Sequence, residues 1–496
     1  MNDLYSAGLD DDKFALLYNI NKTVNIAVKT PVGKTERQNI RNVITQGDVF
    51  GPMFCSKQVD TLGQECLEEN KYTYLYRGEV EIPPLSMVDD LLCVSECGFR
   101  TSMSHAYIAL KTDTKKLQFG AKKCKKLHVG KHCDEFKCQV LKVDNWEEVE
   151  IMNEETGIEE IEDICEGEEI MEEKSDEKYL GDVISTDGKN IKNVKARVAK
   201  GKGIANRIIS IIDGIPFGDF YFEVAMILRN SLLVSSMLSN SEAWYNVSKA
   251  ELDLLETVDV NFLRNVLGAP KSTPVEMLYL ELGCIPFREL IRKRRISFLH
   301  YILNQDQNSM LYKFLMTQLK NRKQKDWVSQ VLEDIKDLKL NVDMEEIKLM
   351  KKSKLKHILK NSTEEKALEE LEKKKAKHSK VMNIKHKQIK MQKYLKSNGL
   401  KMNQEEVQTI FKLRSRMTNV KTNFRGKYDN FECELCNEED ENQKHMLECK
   451  EIMKKIKVEV KIPEYDELFK GNVRKQLEIA KAFLENMKIK EDLNKK

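Results

Sequence analysis

Apolar positions along this chain follow one period in its first third and another beyond it. From Ile191 to Leu303 they recur at the three-to-four residue spacing of a helix with one buried face. The clearest case runs from Ser248 to Leu267. Ser248 and Glu251 make a capping-box pair, Leu252, Leu255, Phe262, Leu263 and Val266 form the stripe, and Gly268-Ala269-Pro270 ends it. Thr273-Pro274-Val275-Glu276 repeats the start signal. A further helix, Pro286 to Leu303, sets Leu290, Ile291, Leu299 and Ile302 beside Arg288, Arg292, Lys293, Arg294 and Arg295. Such a basic face can lie along a phosphate backbone, or it can meet only water. From Trp327 to Leu400 the spacing predicts long, lysine-rich helices with Ser362 and Glu365 as another capping pair. Their apolar stripe is thin, which predicts loose packing.

Before Phe136 the pattern is shorter and mixed. Asp11 to Asn21 reads as a helix with Phe14, Leu17 and Tyr18 on one face, and Val24 to Val28 alternates as a strand. In Gln46-Gly47-Asp48-Val49-Phe50-Gly51-Pro52, Gly47 allows an unusual turn and Pro52 suits the first turn of a helix reaching about Glu69. The free N–H groups of such a helix start can meet a phosphate, although an ordinary strand-to-helix connection looks the same. Two apolar runs, Leu85 to Val88 and Leu91 to Val94, flank the acidic pair Asp89-Asp90 and predict a hairpin with that pair at its turn. Carboxylates so placed can hold a divalent cation against a phosphate; a solvated turn is the plainer alternative. Thr101 to Lys116 reads as a helix, Leu127 to Gly130 as a short strand, and Lys178 to Ser185 as a strand ended by the turn Thr186-Asp187-Gly188.

Charge adds organisation that the apolar pattern does not show. The 496 residues carry a net charge of +3, yet Asp144 to Glu177 holds 17 acidic residues against one lysine. So many like charges cannot share a buried face, and the stretch reads as a solvated insertion or linker. Between Leu311 and Lys427, 31 Lys and Arg stand against 14 Asp and Glu, which favours a polyanionic partner or a set of solvated helices. No apolar leader follows Met1, and the most apolar stretch, Met226 to Leu238, is interrupted by Arg229, so no membrane partner is expected. Twelve scattered cysteines suit reduced thiols inside the cell, in nucleus or cytoplasm.

Four residues near the C-terminus have metal-ligand spacing. Cys433, Cys436, His445 and Cys449 form C-x2-C-x8-H-x3-C, three thiolates and one imidazole, a closed tetrahedral set for a structural Zn2+. Lys421, Arg425 and Lys427 lie close enough in sequence to let such a knuckle touch nucleic acid.

Taken in order, these segments resemble the palm and thumb of a non-LTR retrotransposon (LINE-type) reverse transcriptase. Gln46 to Pro52 is similar to the family's Q-G-x-x-x-S-P element, with Gly51 in place of Ser. Met87-Val88-Asp89-Asp90 is similar to its aromatic-Ala-Asp-Asp element, with Met87 and Val88 as departures. Lys123 resembles the lysine of the next palm motif, Tyr179-Leu180-Gly181 the strand that closes palm onto thumb, and the Cys433 to Cys449 cluster the C-terminal knuckle. The resemblance implies RNA-directed DNA synthesis on an RNA template and a DNA primer, with Mg2+ or Mn2+ at Asp89 and Asp90, Gln46-Gly47 shaping the template–nucleotide pocket, and Lys123 at the leaving pyrophosphate. Family members carry a further catalytic aspartate upstream of the segment resembling Asn2 to Leu9, and this sequence begins after it. Activity of the chain alone is therefore expected to be absent or weak, which leaves a non-catalytic RNA- or DNA-binding protein as the alternative.

The expected fold class is α+β: a partial palm over 1–143, the acidic insertion over 144–177, the end of the palm and a helical thumb over 178–303, a basic helical region over 304–420, the knuckle over 421–460, and a terminal helix or tail over 461–496. Nothing in the sequence sets an oligomeric state.

Overall fold

The computed structural model describes residues 10–13, 15, 24–27, 29–31, 33–40, 56, 62–68, 73–87, 90–114, 123–129, 139–140, 146–152, 159–165, 169–170, 172–218, 220–323, 325–382, 384–396, 400–424, 426–456 and 462–494. Gln46, Gly47, Asp89 and Arg425 lie outside them, as does the segment Asn2 to Leu9. The fold is mostly helical with small antiparallel hairpins, an α+β arrangement in two compact units: Met1–Lys189 with Gln307–Thr317, and Asn190–Asp306 with Gln318–Lys496.

Among the described residues of the first unit, strands pair two by two rather than in one wide sheet. Tyr74–Tyr76 pairs with Val80–Ile82, Leu85–Met87 with Asp90–Leu92, and Asp176–Tyr179 with Asp182–Ser185, all antiparallel. Lys125–Leu127 runs parallel to Glu172–Lys174. The acidic stretch read as an insertion or linker pairs Trp146–Met152 with Glu159–Cys165. The expected strand from Lys178 to Ser185 is instead a hairpin folded at Leu180-Gly181. Leu180 and Gly181 both take positive φ, 47° and 89°, the two-residue turn whose twist matches paired strands.

One helix of this unit, Gly98–Thr114, gives the aspartate hairpin its seat. Ile108 on that helix, with Leu62 and Cys66, forms a small core against which Leu91, Cys93 and Tyr107 pack. Because side chains alternate along a strand, burying Leu91 and Cys93 turns Asp90 to the opposite face, where it is exposed.

The second unit is built on helices. Helix Ile191–Asp213 packs along helix Lys249–Leu267. Ser248 caps the latter with the expected reciprocal bonds, 2.7 Å and 3.3 Å, and Gly268 ends it in the left-handed conformation. Arg229, which interrupts the most apolar stretch, turns inward from a π-helical segment, Arg229–Val234. It forks onto buried Asp259 at 2.7 and 2.6 Å, and Tyr279 donates to the same carboxylate at 3.0 Å. Ser362 starts no helix. Helix Lys352–Lys375 runs through it, because Leu355, Leu359, Thr363, Ala367 and Leu371 keep a fully buried stripe of period four. The stripe is as thin as the sequence suggests, yet it is not loosely packed; small Thr363 and Ala367 let neighbours approach closely.

A second buried carboxylate joins distant segments. Glu281 accepts from Arg414 Nε at 2.9 Å and Nη2 at 2.8 Å, from the Tyr394 hydroxyl at 2.8 Å, and meets His386 Nε2 at 3.0 Å. Next to it Gly283 has φ +65°, and a Cβ there would lie 2.0 Å from the Met391 amide nitrogen. The chain from His386 to Tyr394 is thus pressed against the end of helix Val275–Leu282.

Candidate functional site

Cys433, Cys436, His445 and Cys449 converge, as their spacing requires. Their ligand atoms all lie within 4.8 Å of one another. Cys433 and Cys449 Sγ are 3.9 Å apart, and Cys436 Sγ lies 3.4 Å from His445 Nε2. A tetrahedron with Zn–S near 2.3 Å and Zn–N near 2.05 Å has S–S edges of about 3.8 Å and S–N edges of about 3.6 Å. The cluster therefore fits a metal such as zinc.

Local structure explains how the four residues meet. Glu432 bridges Asp440, the Cys433 amide donates to the Glu439 carbonyl at 2.8 Å, and Asn437, at φ 53°, returns its amide to the Cys433 carbonyl at 2.9 Å. Asn442 accepts from the His445 amide at 2.9 Å, starting the short turn that carries the imidazole. His445 Nδ1 lies 3.1 Å from Glu439 Oε2, a contact that puts the proton on Nδ1 and leaves the Nε2 lone pair for a metal. Burial pushes the Cys433 thiol up to about 11, against the amides of Cys436 and Leu435. At Cys436 burial also raises the pKa, but the amides of Glu438 and Glu439 outweigh it and lower the value.

The last helix, Val473–Asn494, clasps this knuckle. At successive i, i+4 positions Asn486 donates to the Met446 carbonyl at 2.8 Å, Lys490 pairs with Glu441 at 2.7 Å, and Asn494 donates to Glu434 at 3.1 Å. Cys433, Met446, Leu447, Cys449 and Ile452 belong to the large hydrophobic core of this unit. Sequence reasoning did not find Glu439 or these three contacts; carboxylates and amides are common, and only the fold brings them here.

The cations named from sequence fall in different surroundings. Lys421 is buried, donating to the Glu432 carbonyl at 2.9 Å and pairing with Glu434 at 3.0 Å, so it braces the knuckle. Lys427 is exposed, its ammonium 5.5 Å from the centre of the Tyr428 ring. On helix Phe287–Leu303, Arg288 holds Glu256 and Asp253 at 2.8 Å each, Arg292 holds Glu289 at 2.8 Å and Asp337 at 2.6 Å, and Arg295 holds Asp334 at 2.6 and 3.0 Å. Arg294 donates to the Leu238 carbonyl. The Lys293 side chain is half-buried and makes no hydrogen bond or ion pair; its backbone carbonyl accepts from the Ser297 hydroxyl at 2.8 Å.

In the first unit the hairpin forms where it was expected. Met87 pairs with Asp90, and Asp90 is the first residue of the returning strand. Tyr179, far along the sequence, folds into the electrostatic reach of Asp90: its hydroxyl is raised by burial, then by the charges of Asp90 and Cys93. Lys123 is exposed, just before the strand Lys125–Leu127. Among the described residues, the Cys3His cluster is the one group of three or more side chains able to share a metal ion. No helix among the described residues is long and apolar enough to cross a membrane. No family model, curated protein or solved structure matches this chain.

Proposed function

We propose that this chain is a nucleic-acid-handling protein of the LINE-type reverse-transcriptase kind, working on an RNA template and a DNA primer. The observation that carries the reading is that Tyr179 and Asp90, two motif residues named from sequence and 89 positions apart, fold into one unit with Tyr179 within electrostatic reach of Asp90. A hairpin of this kind, with Asp89 and Asp90 together, offers carboxylates to Mg2+ or Mn2+. The ions would steady a triphosphate and activate a primer 3′ oxygen. Helix Ile191–Asp213 supports the nucleic-acid part. It exposes Lys195, Lys200, Lys202 and Arg207, none of them ion-paired, and carries no acid before Asp213. The Cys3His centre is structural in this reading, since four protein ligands close a zinc tetrahedron and leave no position for a reacting water.

A second reading, a nucleic-acid-binding protein without catalysis, is favoured by one fact: among the described residues Asp90 belongs to no group of three side chains able to share a metal ion. Primer extension on an RNA template separates the two. Incorporation that needs Mg2+ or Mn2+ and disappears in Asp90→Ala supports polymerisation. Binding of the hybrid with no incorporation at any metal concentration leaves the second reading, and neither binding nor incorporation removes both.

A further inference from the structure

The structure sorts the cations of helix Phe287–Leu303 by what surrounds them. Arg288, Arg292 and Arg295 are clamped to carboxylates, so they are unavailable to a phosphate. Lys293 is on a different row. Counting by fours from it gives Ser297 and Tyr301, all on one face of the helix. Helix Lys352–Lys375 packs alongside, its start fixed by His300 Nε2 on the Met350 carbonyl at 2.9 Å and Asn304 on the Lys348 carbonyl at 3.2 Å. From that start it carries Lys352, Lys356 and Lys360, also at i, i+4 and i+8 and all exposed.

These lysines are close enough to feel one another. The charges of Lys356 and Lys360 act on Lys293, with Glu364 the single carboxylate opposing them. None of the four lysines has an ion-pair partner, whereas further down the same helix Lys366 and Lys375 pair with Glu370 and Glu372. Like charges gathered on two packed helices cost stability by themselves, and the one carboxylate, Glu364, is outnumbered by the four lysines, so a polyanion is the complement the surface lacks. Successive steps of i, i+4 rise about 6 Å along the helix, giving a track of regularly spaced ammonium groups.

An aromatic ring stands on this face. Tyr301 is 52% exposed, and one side of its ring lies on Phe298, centroids 5.9 Å apart and planes 11° from parallel. Phe298 is in turn held edge-on by Trp327 at 5.7 Å. A braced, half-exposed ring beside a cation track is the arrangement that takes unstacked bases while the backbone follows the charges.

We propose that Lys293, Lys352, Lys356, Lys360 and Tyr301 form a binding surface for single-stranded nucleic acid. It rests on the nucleic-acid reading above but does not need the aspartate hairpin. The partner is single-stranded because a duplex hides its base faces from Tyr301. Sequence preference is weak, since every base has a π-face.

The test is binding of a fluorescent single-stranded oligonucleotide of mixed sequence, RNA and DNA in turn, to the full chain at several salt concentrations. The variants are K352E/K356E/K360E and, separately, Tyr301→Phe and Tyr301→Ala. Removing three phosphate contacts should make the plot of log K against log salt shallower by about 2. Tyr301→Ala should weaken binding roughly 5- to 150-fold, while Tyr301→Phe, which keeps the ring, should bind as the wild type does. These lysines are exposed, and a circular-dichroism melt matching the wild type shows that folding is intact. Unchanged affinity and slope in the folded triple variant overturn this surface and leave the nucleic-acid reading standing. No binding by the wild-type chain at low salt overturns both.

Discussion

Replacing Glu281 with alanine should destabilise the helical unit by about 3–5 kcal/mol, because it strands charges that the fold has already taken out of water. Burial pushes the Glu281 carboxyl up, but Arg414 and His386 outweigh it and hold the pKa at about 2, below its ordinary 4.5. That difference corresponds to roughly 3 kcal/mol of stabilisation at neutral pH. The carboxyl is lowered on folding, so this contribution is complete above pH 4.5 and is lost as the pH falls towards 2. Removing the side chain costs more than the charge alone, since Arg414, His386 and the Tyr394 hydroxyl keep their burial and lose their acceptor. Glu281→Gln retains one acceptor oxygen and should fall between wild type and alanine. Two of the three tryptophans, Trp244 and Trp327, lie in this unit, so urea unfolding followed by tryptophan fluorescence reads it. A loss below about 1 kcal/mol in both variants would refute the reasoning and show that apolar packing alone holds these segments.

Gly283→Ala should also destabilise this unit, by more than about 1 kcal/mol in the same urea assay, since the new methyl meets backbone at residues 390 and 391 and the residue needs positive φ. The full chain purified with zinc should hold one ion per molecule by elemental analysis. Cys449→Ala should lose it, and chelation should lower the melting temperature of the C-terminal region, where helix Val473–Asn494 grips the knuckle. Acidification should release the metal as well, because thiolate and imidazole ligands are bound in their unprotonated forms. In the first unit His105 is buried, which lowers its imidazole to about 4. Its unfolded form titrates near 6.5, so the unit should lose up to about 3 kcal/mol as pH falls from 6.5 to 4, and proton NMR should show the His105 ring neutral at pH 6.

The parts legible in sequence are those whose cause is local. Ser248, Glu251 and Gly268 fixed a helix because capping bonds and a left-handed terminus act within four residues. The Cys3His spacing announced its site because thiolates and imidazole at those intervals have few other uses. The hairpin around Asp89-Asp90 was legible to within one residue, since Asp90 already pairs with Met87 as the first residue of the returning strand. Side-chain environment was not legible. Arg288 and Lys293 look alike in a list of cations, and only the packing of the neighbouring helices decides that one is clamped and the other open. Ser362 and Glu365 satisfy the capping pattern, but a helix begun at Lys352 had no reason to stop there. Leu180-Gly181 read as part of a strand because leucine seldom takes positive φ, and the folded hairpin overrides that preference.

Affinity for an RNA–DNA hybrid, measured by fluorescence anisotropy from low to physiological salt, tests the central claim most directly. A protein of this kind should bind the hybrid at low salt, with log K falling linearly as log salt rises, the mark of lysines and arginines on phosphates. Affinity too weak to measure at low salt, or affinity indifferent to salt, would contradict it.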